Sequence, residues 1–452
     1  MSISFDRFSR LAALKPSRSA PSRPATLRPP AQEDTLAQLL GAGIIKNRYG
    51  EHLAVRNWFS TPEFAEPSPP ALELLSRTRD ESLSRRTRTA LENPEKWLFL
   101  DTETTGLAGG TGTYAFLVGL GWWDAGGLQV EQFFMRDFAE EHSLLHELAA
   151  RLAERPVLFT FNGKSFDWPL LENRFTMTRA IPTPRLAAHL DLLHPARALW
   201  KLRLGSVRLI ELERHVLDAT RLGWRRDDDV ASTLIPQYYF DYLRGASPVP
   251  LASVVRHNQM DLRGLAALFG KINSLLGEHA CGRNDIDSLD LFCLSRFLHR
   301  RGESDRAHFA CEQAIDLGLP AELRTCARRD LAQMAKRRGD HERAAALWHE
   351  IASDSQGGIH ACEQLAIHYE RHVKDFSRAT EFAQLALVKL RRQRVVSRDP
   401  YTSARLTRLE EKFLHRLARL QHQMKSSGGL ARPLALSRSS GESEAVSRCR
   451  HR

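Results

Sequence analysis

No apolar run in this chain is long enough to cross a bilayer, and its N-terminus lacks an apolar stretch of secretory type. The Arg- and Ser-rich "KPSRSAPSRPATLRPP" fits a disordered tail or a transit peptide equally well. Cysteine is sparse. The six (Cys281, Cys293, Cys311, Cys326, Cys362, Cys449) all lie past the middle and include no C-x-x-C pair. Neither a disulfide framework nor a zinc site is supported, which favours a reducing, cytoplasmic setting. Acid is in deficit: 65 Lys plus Arg stand against 54 Asp plus Glu, a formal charge of +11 over 452 residues. That balance suits a polyanionic partner, although much of the excess lies in the tails.

The length allows two or three domains. Residues 1–34 read as a disordered basic tail. Residues 35–94 mix a short helix candidate, "TLAQLLGAGII", with the Pro-rich "STPEFAEPSPP", and are expected to form a loosely structured lead-in. From Trp97 the pattern becomes α/β. "WLFLD", "YAFLVGLGWW" and "LQVEQFFM" read as three strands, the last two joined at the turn signal Asp124–Gly127. A helix over about 139–153 follows, with Leu144, Leu145, Leu148 and Leu152 on one face, then the strand "PVLFTF" and a helix from Ser165. Hairpin-joined strands followed by alternating helices and strands resemble a mixed sheet of RNase H type.

Beyond residue 284 the character changes. "RRGESDRA" (300–307), "RRGDHERA" (337–344) and "HVKDFSRA" (372–379) recur, flanked by small and large apolar residues at helical spacing. A helix-turn-helix unit with an Arg-Ala entry to its second helix resembles a tetratricopeptide (TPR) repeat. An all-α, TPR-like repeat domain is therefore expected over 284–424, with a plain helical bundle as the alternative. Residues 405–420 make one more amphipathic helix, and 425–452 a disordered tail.

The chemistry sits in the α/β part. "WLFLDTETTG" places Asp101 and Glu103 two apart at the end of an apolar run, so both project from one face of a strand. Two converging anions repel unless a cation lies between them, and oxygen ligands suit Mg2+ or Mn2+. "FNGKSFDWPLLENRF" puts Asp167 just after a strand and an Asn-Gly turn, and "HNQMD" puts His257 and Asp261 on one face of a helix. Four carboxylates of this kind suit two divalent metal ions that activate a water and stabilise the leaving oxygen of a phosphodiester, with His257 as candidate base.

"LDTETTG", "FNGKSFDWPLL" and "HNQMD", in that order, resemble the three motifs of the DEDD 3′–5′ exonucleases. With "HLDLLHPARALWKLRL" and "RDDDVASTLIPQYYFDYL" the pattern is similar to the bacterial YprB-type RNase H-like exonuclease domain, here over 95–273. The resemblance implies Asp101, Glu103, Asp167 and Asp261 as metal ligands. It also shows a departure: the family's histidine usually stands five residues before the last acid, and here it stands four before.

Thr104, Asn162, Phe166, Trp168, Trp200, Lys201 and Arg203 are candidate substrate contacts. The block Arg197–Arg214 interleaves cations with Trp200, as a single-strand binder does, and equally as a solvated helix and loop would. Asp227–Asp229 reads as a solvated loop, "GGTGTY" as a tight turn, and Asp191 as either a support of the site or a turn. The expected function is a 3′–5′ exonuclease acting on single-stranded DNA or RNA, with a protein partner through the repeats. The alternatives are a nucleic-acid-binding or scaffold protein acting through its repeats, and an RNase H-type endonuclease.

Overall fold

Trp97–Leu100 are buried throughout, as a strand covered on both faces must be. They open β3 (Trp97–Thr104) in a computed structural model that describes residues 30–60, 68–76, 85–106, 112–277, 286–353, 358–396 and 399–428. The chain divides into two compact units, Met1–Arg283 and Asn284–Arg452.

The first unit is built on one seven-stranded sheet. Its strands are β1 (Gly43–Asn47), β2 (Gly50–Ser60), β3, β4 (Ala115–Asp124), β5 (Gly127–Phe134), β6 (Val157–Thr160) and β7 (Ala188–Asp191), in spatial order β1-β2-β5-β4-β3-β6-β7. Pairings from β1 to β3 are antiparallel, whereas β3, β6 and β7 run parallel. This is the mixed sheet of an RNase H-like fold. Around it lie α1 (Pro30–Leu40), α2 (Pro69–Ser76), α3 (Arg85–Leu91), α4 (Glu141–Glu154), α5 (Asp167–Thr178), α6 (Leu193–Leu204), α7 (Leu209–Leu212), α8 (Ile235–Leu243) and the long α9 (Val249–Leu276). Helix α9 carries Leu251, Val254, Leu262, Leu265, Leu268 and Phe269 into the interior. Phe269 meets Trp97, Phe99 and Phe159 at ring-centroid distances of 5.1, 6.0 and 4.6 Å, which anchors α9 across β3 and β6.

The expected loose lead-in over 35–94 is corrected in part. Residues 43–60 form a hairpin that extends the sheet: Leu53 pairs with Phe134 and Phe59 with Leu128. Leu36, Leu53, Ala54 and Val55 belong to the core. Within that segment 61–67 and 77–84 lie outside the described residues, as do most of the expected basic tail and the glycines of "GGTGTY" up to 111.

The second unit is all helical: α10 (Ser288–Arg300), α11 (Ser304–Asp316), α12 (Ala321–Arg337), α13 (His341–Ala352), α14 (Ile359–His368), α15 (Phe376–Val396) and α16 (Pro400–Gly428). The three recurring turns share a backbone device. Gly302, Gly339 and Lys374, each five residues before the Arg-Ala alanine, all have positive φ (88°, 82° and 63°). The alanines that follow, Ala307, Ala344 and Ala379, are buried. A larger side chain at such a buried position is expected to be overpacked and destabilising.

Lys374 takes at a cost the conformation that glycine takes freely. Lys374→Gly is expected to stabilise the protein by about 0.5–1 kcal/mol, read from urea denaturation. An acid-dependent contribution comes from Glu363 on α14. The His360 ring and the Lys412 ammonium of α16, 2.6 Å away, hold its carboxyl down to about 2 from the ordinary 4.5, against the opposing effect of burial. A depressed carboxylate contributes stability above its ordinary pKa, and that contribution is lost as pH falls from about 4.5 to about 2. Glu363→Gln is therefore expected to destabilise the protein at pH 6 and to have a much smaller effect at pH 2. Equal effects at both would contradict the assignment.

Candidate active site

β3 ends in the pair the sequence singles out. Asp101 is in register with Gly119 of β4 and Glu103 with Leu117, with a bulge between Glu103 and Thr104. α9 crosses this end of the sheet and brings His257 and Asp261, one turn apart, over it. Ligand atoms of Glu103, His257 and Asp261 all lie within 4.8 Å of one another. His257 Nε2 is 3.9 Å from Glu103 Oε1 and 3.5 Å from Asp261 Oδ2.

Asp101 and Asp167 stand outside that close group but within its field. Asp101 is held by Asn258, whose Nδ2 donates to Asp101 Oδ2 (2.8 Å). Asn258 Oδ1 in turn accepts from Gln132 Nε2 of β5 at 2.8 Å. A Cβ at Gly119 would run into the Asn258 carboxamide, so the strand beside Asp101 must carry glycine. Gly119→Ala is expected to displace Asn258 and lower both metal-dependent stabilisation and turnover by about 10–100-fold, while Gly126→Ala, in an open turn, should leave turnover unchanged. Asp167, first residue of α5, accepts a hydrogen bond from Thr102 Oγ1 at 2.5 Å. The loop that carries it is fixed by Asp191, which accepts from the backbone N–H groups of Asn162 (2.8 Å) and Lys164 (3.1 Å). Asp191 thus fills both sequence readings, supporting the site while closing β7.

The electrostatics are those of acids short of a counter-charge. Burial and the neighbouring Asp261, Asp167 and Glu103 carboxylates push Asp101 well above its usual range. Burial, with Asp261 and Asp167, pushes Glu103 up to about 8 despite His257, and burial takes Asp167 to about 6. Burial disfavours charge on His257, but the Asp229 hydrogen bond and the Asp261 and Glu103 carboxylates outweigh it and lift the imidazole to about 9. The donor set fits hard divalent cations: oxygen atoms predominate, and burial together with mutual repulsion opposes ionisation of Asp101 and Glu103, an opposition that a bound cation would relieve.

The sequence does not mark Asn258, Asp229 or Arg226 as part of the site. Asp229, expected in a solvated loop, turns inward while Asp227 and Asp228 stay exposed. Its Oδ1 lies 2.7 Å from His257 Nδ1 and its Oδ2 accepts from Arg226 Nη1 at 2.9 Å. A carboxylate can only accept, so Nδ1 carries the proton and Nε2 faces the acids. Arg226 also grips Glu213 through Nε and Nη2 (2.6 and 2.7 Å) and donates to Asp261 Oδ1 at 2.5 Å. Gly264 makes room for the Glu213 carboxylate, which a Cβ there would strike.

The candidate substrate contacts divide. Asn162 and Lys201 line a cleft of about 780 Å³ that also exposes Asp101, His257 and Asp261. Phe166 is 58% exposed beside Asp167. Trp200 is a correction: only 1% exposed, it packs in the interior with Leu199 and Ala196, and no base can stack on it. Trp168 packs against the core and, edge-on, near His189, with ring centroids 6.2 Å apart. The Thr104 hydroxyl donates to the Gly106 carbonyl (2.8 Å), and Arg203 is not among the cleft residues.

Residues 98–273 match the family model described as RNase_H superfamily, so strands β3 to β7 and the acids lie in an RNase H-like nuclease domain, whose substrate class is nucleic acid, while β1 and β2 precede the matched residues. The chain is also 30% identical, over 319 residues, to a protein of Bacillus subtilis (strain 168) named "Uncharacterized protein YprB", covering 70% of this chain and 75% of that one. The chain belongs to the YprB family.

Proposed function

We propose that this protein is a divalent-metal-dependent 3′–5′ exonuclease acting on single-stranded DNA or RNA in the cytoplasm. The observation that carries the reading is the meeting of Glu103, His257 and Asp261, the last two lining a cleft together with Asp101, with Asp167 close enough to shift both Asp101 and Glu103. Asp101, Glu103, Asp167 and Asp261 would hold two Mg2+ or Mn2+ ions, which when bound supply the activation of water and the stabilisation of the leaving oxygen.

The chain's own groups do the rest. His257 presents Nε2 toward the acids, where in its neutral form it would be placed to accept a proton. Asp229 keeps Nδ1–H in place, and Arg226 orients Asp229 and Asp261 together. Asn258 fixes one oxygen of Asp101 and leaves the other free. For the second unit, the repeated turns and buried alanines support TPR-like repeats offering a surface to a protein partner.

The exonuclease assignment is tested with linear and circular single strands of one sequence in Mg2+. Stepwise shortening from the 3′ end with the circle intact is expected. Cutting of the circle at a comparable rate would replace the assignment with an endonuclease.

A further inference from the structure

The cleft beside the acids has a second wall. Arg197 and Lys201 on α6, and Arg208 at the start of α7, line it together with Asp101, His257 and Asp261. All three are exposed, and none takes part in an ion pair or side-chain hydrogen bond among the described residues. Nearby arginines differ. Arg226, which lines the same cleft, is engaged by Glu213, Asp229 and Asp261. Three free cations facing one cleft, on a surface that elsewhere pairs many of its charges, call for an anionic ligand.

We propose that Arg197, Lys201 and Arg208 form a phosphate track that leads the backbone of a single-stranded nucleic acid to the acid site. The proposal rests on the nuclease reading and names how its substrate is held. Arg197 and Lys201 are four residues apart, about 6 Å along one face of α6, so they meet successive phosphates of an extended strand. Ser206 and Val207 line the cleft between Lys201 and Arg208, and Trp200 underneath is packed into the core. The track therefore grips backbone and not bases, so it recognises DNA and RNA alike and is indifferent to sequence. A cleft of about 780 Å³ is the size of an ordinary ligand pocket and has room for an unpaired end of a strand.

The test is binding without turnover. Labelled oligo-dT, oligo-U and a duplex of equal length are titrated by fluorescence anisotropy in Ca2+ at several salt concentrations, with the full chain. For single strands each lost phosphate contact lowers the slope of log K against log salt by about 0.7. Arg197→Ala, Lys201→Ala and Arg208→Ala should each lower it by that amount, and the triple variant by about 2, equally for dT and U. Arg392→Ala, in the second unit, should leave it unchanged, and single strands should bind more tightly than duplex. A folded triple variant with the parent's slope would overturn the track, as would preference for duplex. A parent protein that binds with the expected slope yet hydrolyses nothing in Mg2+ or Mn2+ sinks the nuclease reading and leaves the track standing. Hydrolysis with an unaltered slope in the triple variant sinks the track alone.

Discussion

Asp101→Asn and Asp261→Asn are each expected to lower hydrolysis by about 10³-fold or more while the protein stays folded. Each removes a proposed metal ligand, and the charge stabilisation supplied at such a centre amounts to several kcal/mol, tenfold for every 1.4. The shape is preserved, because an asparagine oxygen at 101 still accepts from Asn258. For Asp101, stability should move in the opposite direction from activity. Asp101 lies among Asp261, Asp167 and Glu103, which together with burial oppose its ionisation. Without metal, Asp101→Asn should therefore melt at or above the temperature of the parent. Addition of Mn2+ should raise the melting temperature of the parent and hardly move that of the variant. Substantial hydrolysis by either purified variant would remove these acids from the mechanism.

Asp229→Asn should reduce turnover by about 10²-fold, with little change in the concentration of oligonucleotide needed for half-maximal rate. Asp229 touches His257 and Arg226, and its proposed work is done through the imidazole. The pairing with His257→Ala is the informative comparison. If Asp229 acts by holding Nδ1–H, the double variant should be no slower than His257→Ala alone. Losses that multiply would give Asp229 a role of its own.

Why Asp229 escaped the sequence is instructive. In Asp227-Asp228-Asp229 three equal side chains follow one another, and only the path of the loop selects which is buried. The paired acids were legible because strands repeat every two residues and helices every three or four. Asp101 with Glu103, and His257 with Asp261, carry their geometry in their spacing. Asn258 lay within the same motif, but its role depends on Gln132 and Gly119 from other strands. For Trp200 the sequence leaves stacking and packing equally open, yet it carries a signal for packing: Leu193, Ala196 and Trp200 fall on one helical face, the inward one. The hairpin at 43–60 was hidden for a different reason. Its partner is β5, so Leu53 meets Phe134 some eighty residues away, and local composition says nothing about such a pairing. One consequence is practical. A fragment beginning at residue 95 would lose β1 and β2, uncover the edge of β5 and remove Leu53, Ala54 and Val55 from the core. A self-sufficient first unit should start near Pro30 and run to the end of α9.

The central claim, that these carboxylates perform metal-dependent hydrolysis, is tested most directly by a time course with 5′-labelled single strands in Mg2+, Mn2+ or EDTA, run beside Asp101→Asn. The account predicts a ladder of shortened products with either metal, none in EDTA and none from the variant. Equal hydrolysis in EDTA, or by the variant, would contradict it.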